Sequence, residues 1–155
     1  MILVMTGTNP YSFDRLVRPL DEMAGQFGWD DVFVQLGHTR YAPENCQAEP
    51  FVERARLLKM VEESELVVTQ GGYGGIRDAL FYNKPLVAVP RYPALGEATD
   101  CQEELVRAME SLGYLIGVYN IDNLGSAIEQ ARTFLPAPRM SSRIPELLNE
   151  YFASR

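Results

Sequence analysis

The sequence predicts an α/β protein, a Rossmann-like open parallel sheet of about five strands with helices on both faces. Three observations carry that prediction. Short, near-continuous apolar runs recur at Ile2–Thr6, Val32–Leu36, Leu66–Thr69, Leu86–Val89 and Tyr114–Tyr119, the pattern of strands buried on both faces. Amphipathic segments lie between them, and alternating β and α units specify a parallel sheet. A glycine loop holding Gly71, Gly72, Gly74 and Gly75 joins the third strand to the next helix.

The first helix carries Phe13, Leu16, Val17, Leu20, Ala24 and Phe27 at helical spacing, with Ser12 as candidate N-cap. Pro19 inside it predicts a kink or a late start. A second helix is expected over Phe51–Glu63, with Phe51, Ala55, Leu58 and Val61 inward. A third follows the glycine loop. The fourth is expected from Asp100 to Leu112, ended by Gly113, and the fifth over Asn123–Phe134, capped by Asp122. After Pro136 and Pro138 the polar stretch 139–143 reads as a linker. Ile144, Leu147, Leu148, Tyr151 and Phe152 then form one apolar stripe at helical spacing. The chain therefore divides into a ligand-binding domain, residues 1–138, and a linker with a C-terminal amphipathic helix, residues 139–155.

Right-handed crossovers leave few topologies, and the order 2-1-3-4-5 is favoured. It puts a switch point between the first and third strands, where open α/β sheets bind ligands at the strands' carboxyl ends. Gly7-Thr8-Asn9 and Gln70–Gly75 would meet there.

Length and composition narrow the function. The 155 residues suffice for one domain with a real core. The net charge of −7 argues against a nucleic-acid partner, which calls for a basic face. No apolar run approaches the roughly 20 residues that span a bilayer, and the N-terminus lacks a basic leader, so the chain reads as cytoplasmic. Cys46 and Cys101 have no metal-ligand spacing and read as free thiols.

Strand, glycine loop and helix form a phosphate-binding arrangement. The first helical N–H groups lack internal partners, the helix dipole adds positive potential, and bare backbone admits an anion closely. The dinucleotide spacing G-x-G-x-x-G fails because Arg77 stands at the third glycine, and no Gly-Lys-Ser/Thr follows. A tight turn with close helix–sheet packing is the alternative account of the glycines. Asp78, one turn into the helix, suits the dipole; beside a diphosphate it fits only by turning sideways to accept ribose hydroxyls.

Thr69-Gln70-Gly71-Gly72-Tyr73-Gly74-Gly75, then Asp78, then Asn83-Lys84-Pro85-Leu86-Val87-Ala88-Val89-Pro90-Arg91 resembles the donor-binding signature of the glycosyltransferase family 28 C-terminal domain. That signature reads Ser-His-Gly-Gly-x-Gly-Thr, an acid three positions on, and Gly-Lys-Pro-apolar-Val-Pro-Arg. Thr6-Gly7-Thr8 with Phe13-Asp14-Arg15-Leu16, Gln35-Leu36-Gly37-His38-Thr39 and Asp100-Cys101-Gln102-Glu103-Glu104-Leu105 are similar to further motifs of the short, single-domain members. Those members include the catalytic subunit of the two-part UDP-N-acetylglucosamine transferase of dolichol-linked oligosaccharide assembly and bacterial exopolysaccharide glycosyltransferase subunits.

The resemblance implies the C-terminal half of a GT-B enzyme. It would bind a UDP-sugar donor and transfer a hexosyl or N-acetylhexosaminyl group to a lipid-linked acceptor. A separate membrane-associated subunit would supply the acceptor domain and hold the chain at the cytoplasmic membrane face. By position, Gly71, Gly72, Gly74 and Gly75 would contact the diphosphate, Asp78 the ribose and Gln102 the donor sugar, with Glu104 nearby. Gly7 and Thr8 would line the crevice. Gln70 replaces the family's histidine, Gly75 its threonine and Cys101 a second histidine, while Asp78 is one methylene shorter than the usual glutamate.

His38, the sole histidine, is read as structural or as a general base. Arg91 either pairs with the diphosphate or sits at a loop edge. Tyr41, Tyr73 and Tyr92 are candidates for stacking or packing. No Asp-x-Asp pair is present to hold a metal, so backbone donors are expected to meet the leaving charge, with no cofactor beyond the donor substrate. Two other classes stay open, a non-catalytic nucleotide-sugar-binding or scaffold module and an unrelated α/β phosphate-binding protein. The C-terminal helix either packs on its own domain or docks on a partner subunit or a second copy.

Overall fold

The computed structural model describes residues 1–138. The elements run β1 (Ile2–Met5), α1 (Asp14–Phe27), β2 (Val32–Gln35), β3 (Gln47–Glu49), α2 (Arg54–Glu63), β4 (Leu66–Gln70), α3 (Tyr73–Phe81), β5 (Leu86–Val89), α4 (Glu103–Ser111), β6 (Ile116–Gly117) and α5 (Leu124–Ala131), with 3₁₀ turns at Pro93–Leu95 and Ile121–Asn123. The sheet is parallel throughout, in the order β3-β2-β1-β4-β5-β6. Its five apolar strands keep the predicted order. The sixth, β3, adds an edge beyond β2. Gln47-Ala48-Glu49 is mostly exposed and has no apolar run, so no hydrophobic pattern announced it.

Strand alternation builds two cores. Ile2, Val4, Val34 and Val68 face α1 and α5, meeting Phe13, Leu16, Leu20, Leu124 and Ile128. Leu3, Met5, Phe33 and Val67 face α2, α3 and α4, meeting Leu57, Val61, Ile76 and Val106. Each side chain points opposite to its neighbour, so one apolar run serves both layers.

Several local expectations are corrected. α1 starts at Asp14 and runs through Pro19, so there is no late start. Ser12 does not cap it. Its hydroxyl donates to Asp14 and accepts from the Arg40 amide, tying the α1 entry to the 38–41 loop. α2 starts at Arg54, three residues later than expected, capped by Glu53 through the amides of Ala55 and Arg56. Its inward residues are Leu57 and Val61; Ala55 is exposed and Phe51 lies before the helix, 50% exposed. Asp122 lies inside a 3₁₀ turn, where Asn120 caps, and α5 starts only at Leu124. α4 is shorter than expected, and Gly113 follows it in the left-handed region. The predicted linker 139–143 and the helix from Ile144 lie outside the described residues.

The chain lays down β1, β2 and β3 outward, then returns to place β4 against the other side of β1. That reversal puts the connections leaving β1 and β4 side by side at the carboxyl edge.

Candidate functional site

A cleft of about 350 Å³ opens at this reversal, lined by Met5, Gly7, Thr8, Gln35, Arg54, Leu57, Thr69, Gln70, Gly72, Tyr73, Gly74, Gly75 and Asp78. Three elements aim at it. β1 ends in Thr6-Gly7-Thr8, with Gly7 at φ 79° and its Cα face directly against the Gln70 side chain, where a Cβ would collide. Both constraints demand glycine. β4 delivers Thr69 and Gln70, and α3 presents its N-terminus.

The four loop glycines do different work. Gly71 continues the ladder by donating to Val89 O at 3.0 Å. Its Cα packs on Val106 and Gln102 of the α4 region, and it does not line the cleft. Gly75 sits so closely on Thr69 that a Cβ would strike the hydroxyl. Gly72 forms the N-terminal boundary of α3 with extended backbone and no side-chain cap. A Cβ on Gly74 would meet nothing within 4 Å, so this position is open to the cleft. Packing thus accounts for Gly71 and Gly75, and open backbone for Gly74. The first amides of α3 have no acceptor inside the helix and no side-chain cap, so the N-terminus offers donors and a positive dipole end to the cleft.

Gln70 adds a side-chain donor. Its Oε1 accepts from Arg91 Nε at 2.6 Å and from Gln102 Nε2 at 3.4 Å. A guanidinium can only donate, so this contact assigns the amide oxygen to Arg91 and turns Nε2 toward Gly7 and Gly72.

Arg91 does not line the cleft. It is fully buried beneath it. Nη1 donates to the carbonyls of Tyr11, Ser12 and Glu97, Nη2 donates to Thr6 O at 2.8 Å, and the guanidinium lies 4.2 Å from the Phe13 ring centroid. One side chain therefore pins the connections after β1 and β5 to the end of β4. Burial pulls its pKa down to about 10, which leaves it charged at neutral pH. Gln102 supports the same assembly, its Oε1 accepting the Arg91 amide at 3.1 Å. Glu104 is exposed on the first turn of α4 and lies outside the cleft lining; it is Glu103 that binds inward, to Tyr92.

Asp78 lines the cleft but is already engaged. It is 5% exposed, held by Arg54 Nη1 and Nη2 and by Arg77 Nη2 at 3.1 Å. Burial raises its pKa, yet the two guanidiniums outweigh that and hold the carboxyl below the usual range. Sequence reasoning missed Arg54, although a signal existed. A cation at the first position of a helix opposes the macrodipole, which suggests a tertiary partner. Gln35, Met5 and Leu57 were also missed as lining residues.

His38 is exposed outside the cleft lining. Its Nδ1 lies 3.1 Å from Asn9 O, and its ring stands edge-on to Phe51. Tyr41 donates to Asp21 and Tyr92 to Glu103; of the three tyrosines only Tyr73 borders the cleft. Cys46 and Cys101 are unpaired, and burial followed by the Asp21 carboxylate pushes the Cys46 thiol up to about 12. Among the described residues no group of three or more His, Cys, Asp or Glu side chains could hold a metal ion, and no helix is long and apolar enough to cross a membrane.

The family model described as the glycosyltransferase family 28 C-terminal domain matches residues 1–149. Among solved structures, the glycotransferase of kitacinnamycin superimposes with a TM-score of 0.63 at 19% identity, over 85% of this chain and 34% of that one. The glycosyltransferase SnogD from Streptomyces nogalater aligns with a TM-score of 0.49 at 17% identity, over 99% of this chain and 43% of that one. The chain thus spans about a third of the length of the first and under half of the second. The first likeness establishes the fold, a Rossmann-like half of the GT-B type. Among curated proteins no sequence matches.

Proposed function

This chain belongs to the glycosyltransferase family 28 C-terminal domain family, and on that premise we propose that it binds the nucleotide diphosphate of a UDP-sugar donor in the β1/β4 cleft for glycosyl transfer. One observation carries the reading. The uncapped N-terminus of α3 and the Nε2 of Gln70 converge on a glycine-lined cleft that also contains Asp78. Donors fixed before reaction suit the negative charge that grows on a departing diphosphate. Gly74 leaves room for close approach, and Arg91 holds Gln70 in register without touching the ligand. Asp78 reaches ribose only by exchanging its bonds to Arg54, whose released guanidinium can then meet a phosphate.

The lipid-linked acceptor and its binding domain are assigned to a membrane-associated partner subunit. The resemblance to short members supports this, as do Phe51, Tyr73 and Leu95. Phe51 and Leu95 stand exposed on connections leaving the carboxyl ends of strands, and Tyr73 is the exposed first residue of α3, just after β4; this is the edge on which such a partner would close. The second reading, a nucleotide-sugar-binding module without catalysis, is favoured by one feature. Among the described residues Asp78 is the only carboxylate of the cleft lining, and it is ion-paired.

Calorimetry with UDP, UDP-glucose, UDP-galactose, UDP-N-acetylglucosamine and pyrophosphate, with and without EDTA, tests the donor site. UDP binding with unchanged affinity in EDTA is expected; failure to bind any of these overturns it. Sugar release from the bound donor in the presence of acceptor membranes separates the enzyme from the module.

A further inference from the structure

Gln35 ends β2, and strand alternation turns its side chain to the same face as Phe33, toward α2 and α3. Its backbone carbonyl is satisfied, accepting from Thr6 N and Thr6 Oγ1, both at 3.1 Å. Its side chain is not. The residue is 4% exposed, and among the described residues its Oε1 is the one buried side-chain oxygen or nitrogen without a hydrogen-bond partner. Burying a polar atom unpaired is costly, and native folds rarely tolerate it without a reason. Replacement by an apolar side chain of similar shape would remove the cost, so the amide is poorly explained by folding.

Position supplies the explanation. Gln35 lines the same cleft as Gly72–Gly75. It is two strands from Gln70 across the carboxyl edge, through β1. Neighbouring strands lie roughly 4.8 Å apart, so about 10 Å separates the two strands' ends. A diphosphate seated on the α3 N-terminus does not extend that far, but a nucleoside attached to it does. The surface around Gln35 changes character accordingly. Met5 and Leu57 are apolar, and Arg54 is the adjacent cation. A flat, uncharged ring fits there better than a hexose with its crown of hydroxyls.

We propose that Gln35 is the nucleoside-positioning residue of this cleft, its Oε1 accepting a hydrogen bond from a neutral donor of the nucleoside, either the imide N–H of the base or a ribose hydroxyl. This rests on the nucleotide reading of the cleft and adds where the nucleoside lies and what orients it. The acceptor is neutral and buried, so the contact favours an uncharged donor and contributes nothing to the diphosphate end.

The test is a cycle of ligand and protein changes, read by calorimetry. Wild-type protein and Gln35→Met are titrated with UDP, 3-methyl-UDP, 2′-deoxy-UDP, 3′-deoxy-UDP and pyrophosphate. Gln35→Met should weaken UDP by about tenfold and leave pyrophosphate unchanged. On wild type one analogue should show a matching loss, 3-methyl-UDP if the base is the donor, a deoxy analogue if the ribose is. That analogue should bind Gln35→Met no worse than UDP does. The melting temperature of Gln35→Met should not fall, which separates the effect from misfolding. Equal UDP affinity in both proteins, a parallel loss of pyrophosphate, or analogue penalties that persist in Gln35→Met overturn the proposal. So do equal affinities of wild type for UDP and all three analogues, a result that needs no variant. If wild type binds pyrophosphate but no UDP, the nucleotide reading itself falls, and this inference with it.

Discussion

Arg91 Nε donates to Gln70 Oε1 at 2.6 Å, a bond between a fully buried cation and a side chain of the cleft. Through it the connection after β5 sets which end of the Gln70 amide faces the ligand. Gln70→Glu would keep the Arg91 bond and strengthen it by charge. It would also replace the cleft-facing N–H with a carboxylate oxygen. The expected result is an unchanged or raised melting temperature with UDP affinity lowered at least thirtyfold, roughly 2 kcal/mol. Thermal unfolding and titration on the same preparation check both halves.

Arg91→Lys keeps the charge and discards the fork. An ammonium cannot serve Thr6, Tyr11, Ser12, Glu97 and Gln70 together. Several buried carbonyls lose their donor, so a loss of about 3 kcal/mol is expected. For a chain of this size that is a fall of roughly 6–12 °C in melting temperature. A stability change under 1 kcal/mol, on the order of the effect of a surface residue, would remove the pinning role.

Gly74 and Gly75 are adjacent in α3 and should respond oppositely to alanine. Nothing lies near Gly74, so Gly74→Ala should stabilise the helix by about 0.5–1 kcal/mol. Its methyl would also stand in the anion's approach and weaken UDP and pyrophosphate alike. Gly75→Ala pushes on Thr69, whose hydroxyl donates to Met5 O at 3.2 Å. About 1–3 kcal/mol of destabilisation is expected there.

Asp78 is held low by Arg54 and Arg77 against the rise that burial imposes. A depressed folded-state pKa adds stability that is present in full above the unfolded carboxylate value, about 3.9, and is lost as pH falls through the lower folded value. Arg54→Met should therefore unfold at a lower temperature than wild type at pH 7, with the gap closing below about pH 4. Arg54 is half exposed, so the gap at neutral pH is discounted to about 1–2 kcal/mol. A gap independent of pH would assign the effect of Arg54 to packing alone.

In sequence, residues 144–152 carry apolar positions at helical spacing, and a short helix with that pattern would have to bury them somewhere. If it docks on a partner subunit or a second copy, deleting 141–155 should leave UDP affinity and the melting temperature nearly unchanged. Self-association, or co-purification with a co-expressed partner, should be lost. A strongly destabilised truncation would return the stripe to the chain's own core.

Periodicity in the sequence determined most of the architecture. Five apolar runs and their order were legible because strand burial and crossover handedness act on local pattern. The same reasoning located the switch point and the glycine loop. It failed where a residue's role depends on what lies far along the chain. Gln47–Glu49 became a strand only because β2 offered a free edge. Arg91, which follows β5 and Pro90, read either as a ligand contact or as a loop-edge charge. It turns inward because five acceptors from distant segments converge there. Arg54 and Asp78 are 24 positions apart, and only the packing of α2 on α3 brings them together. Backbone pattern is a local property that the chain carries in its order of side chains. Burial and pairing of a polar group are properties of the space between elements, and that space exists only once the sheet and helices have closed around it.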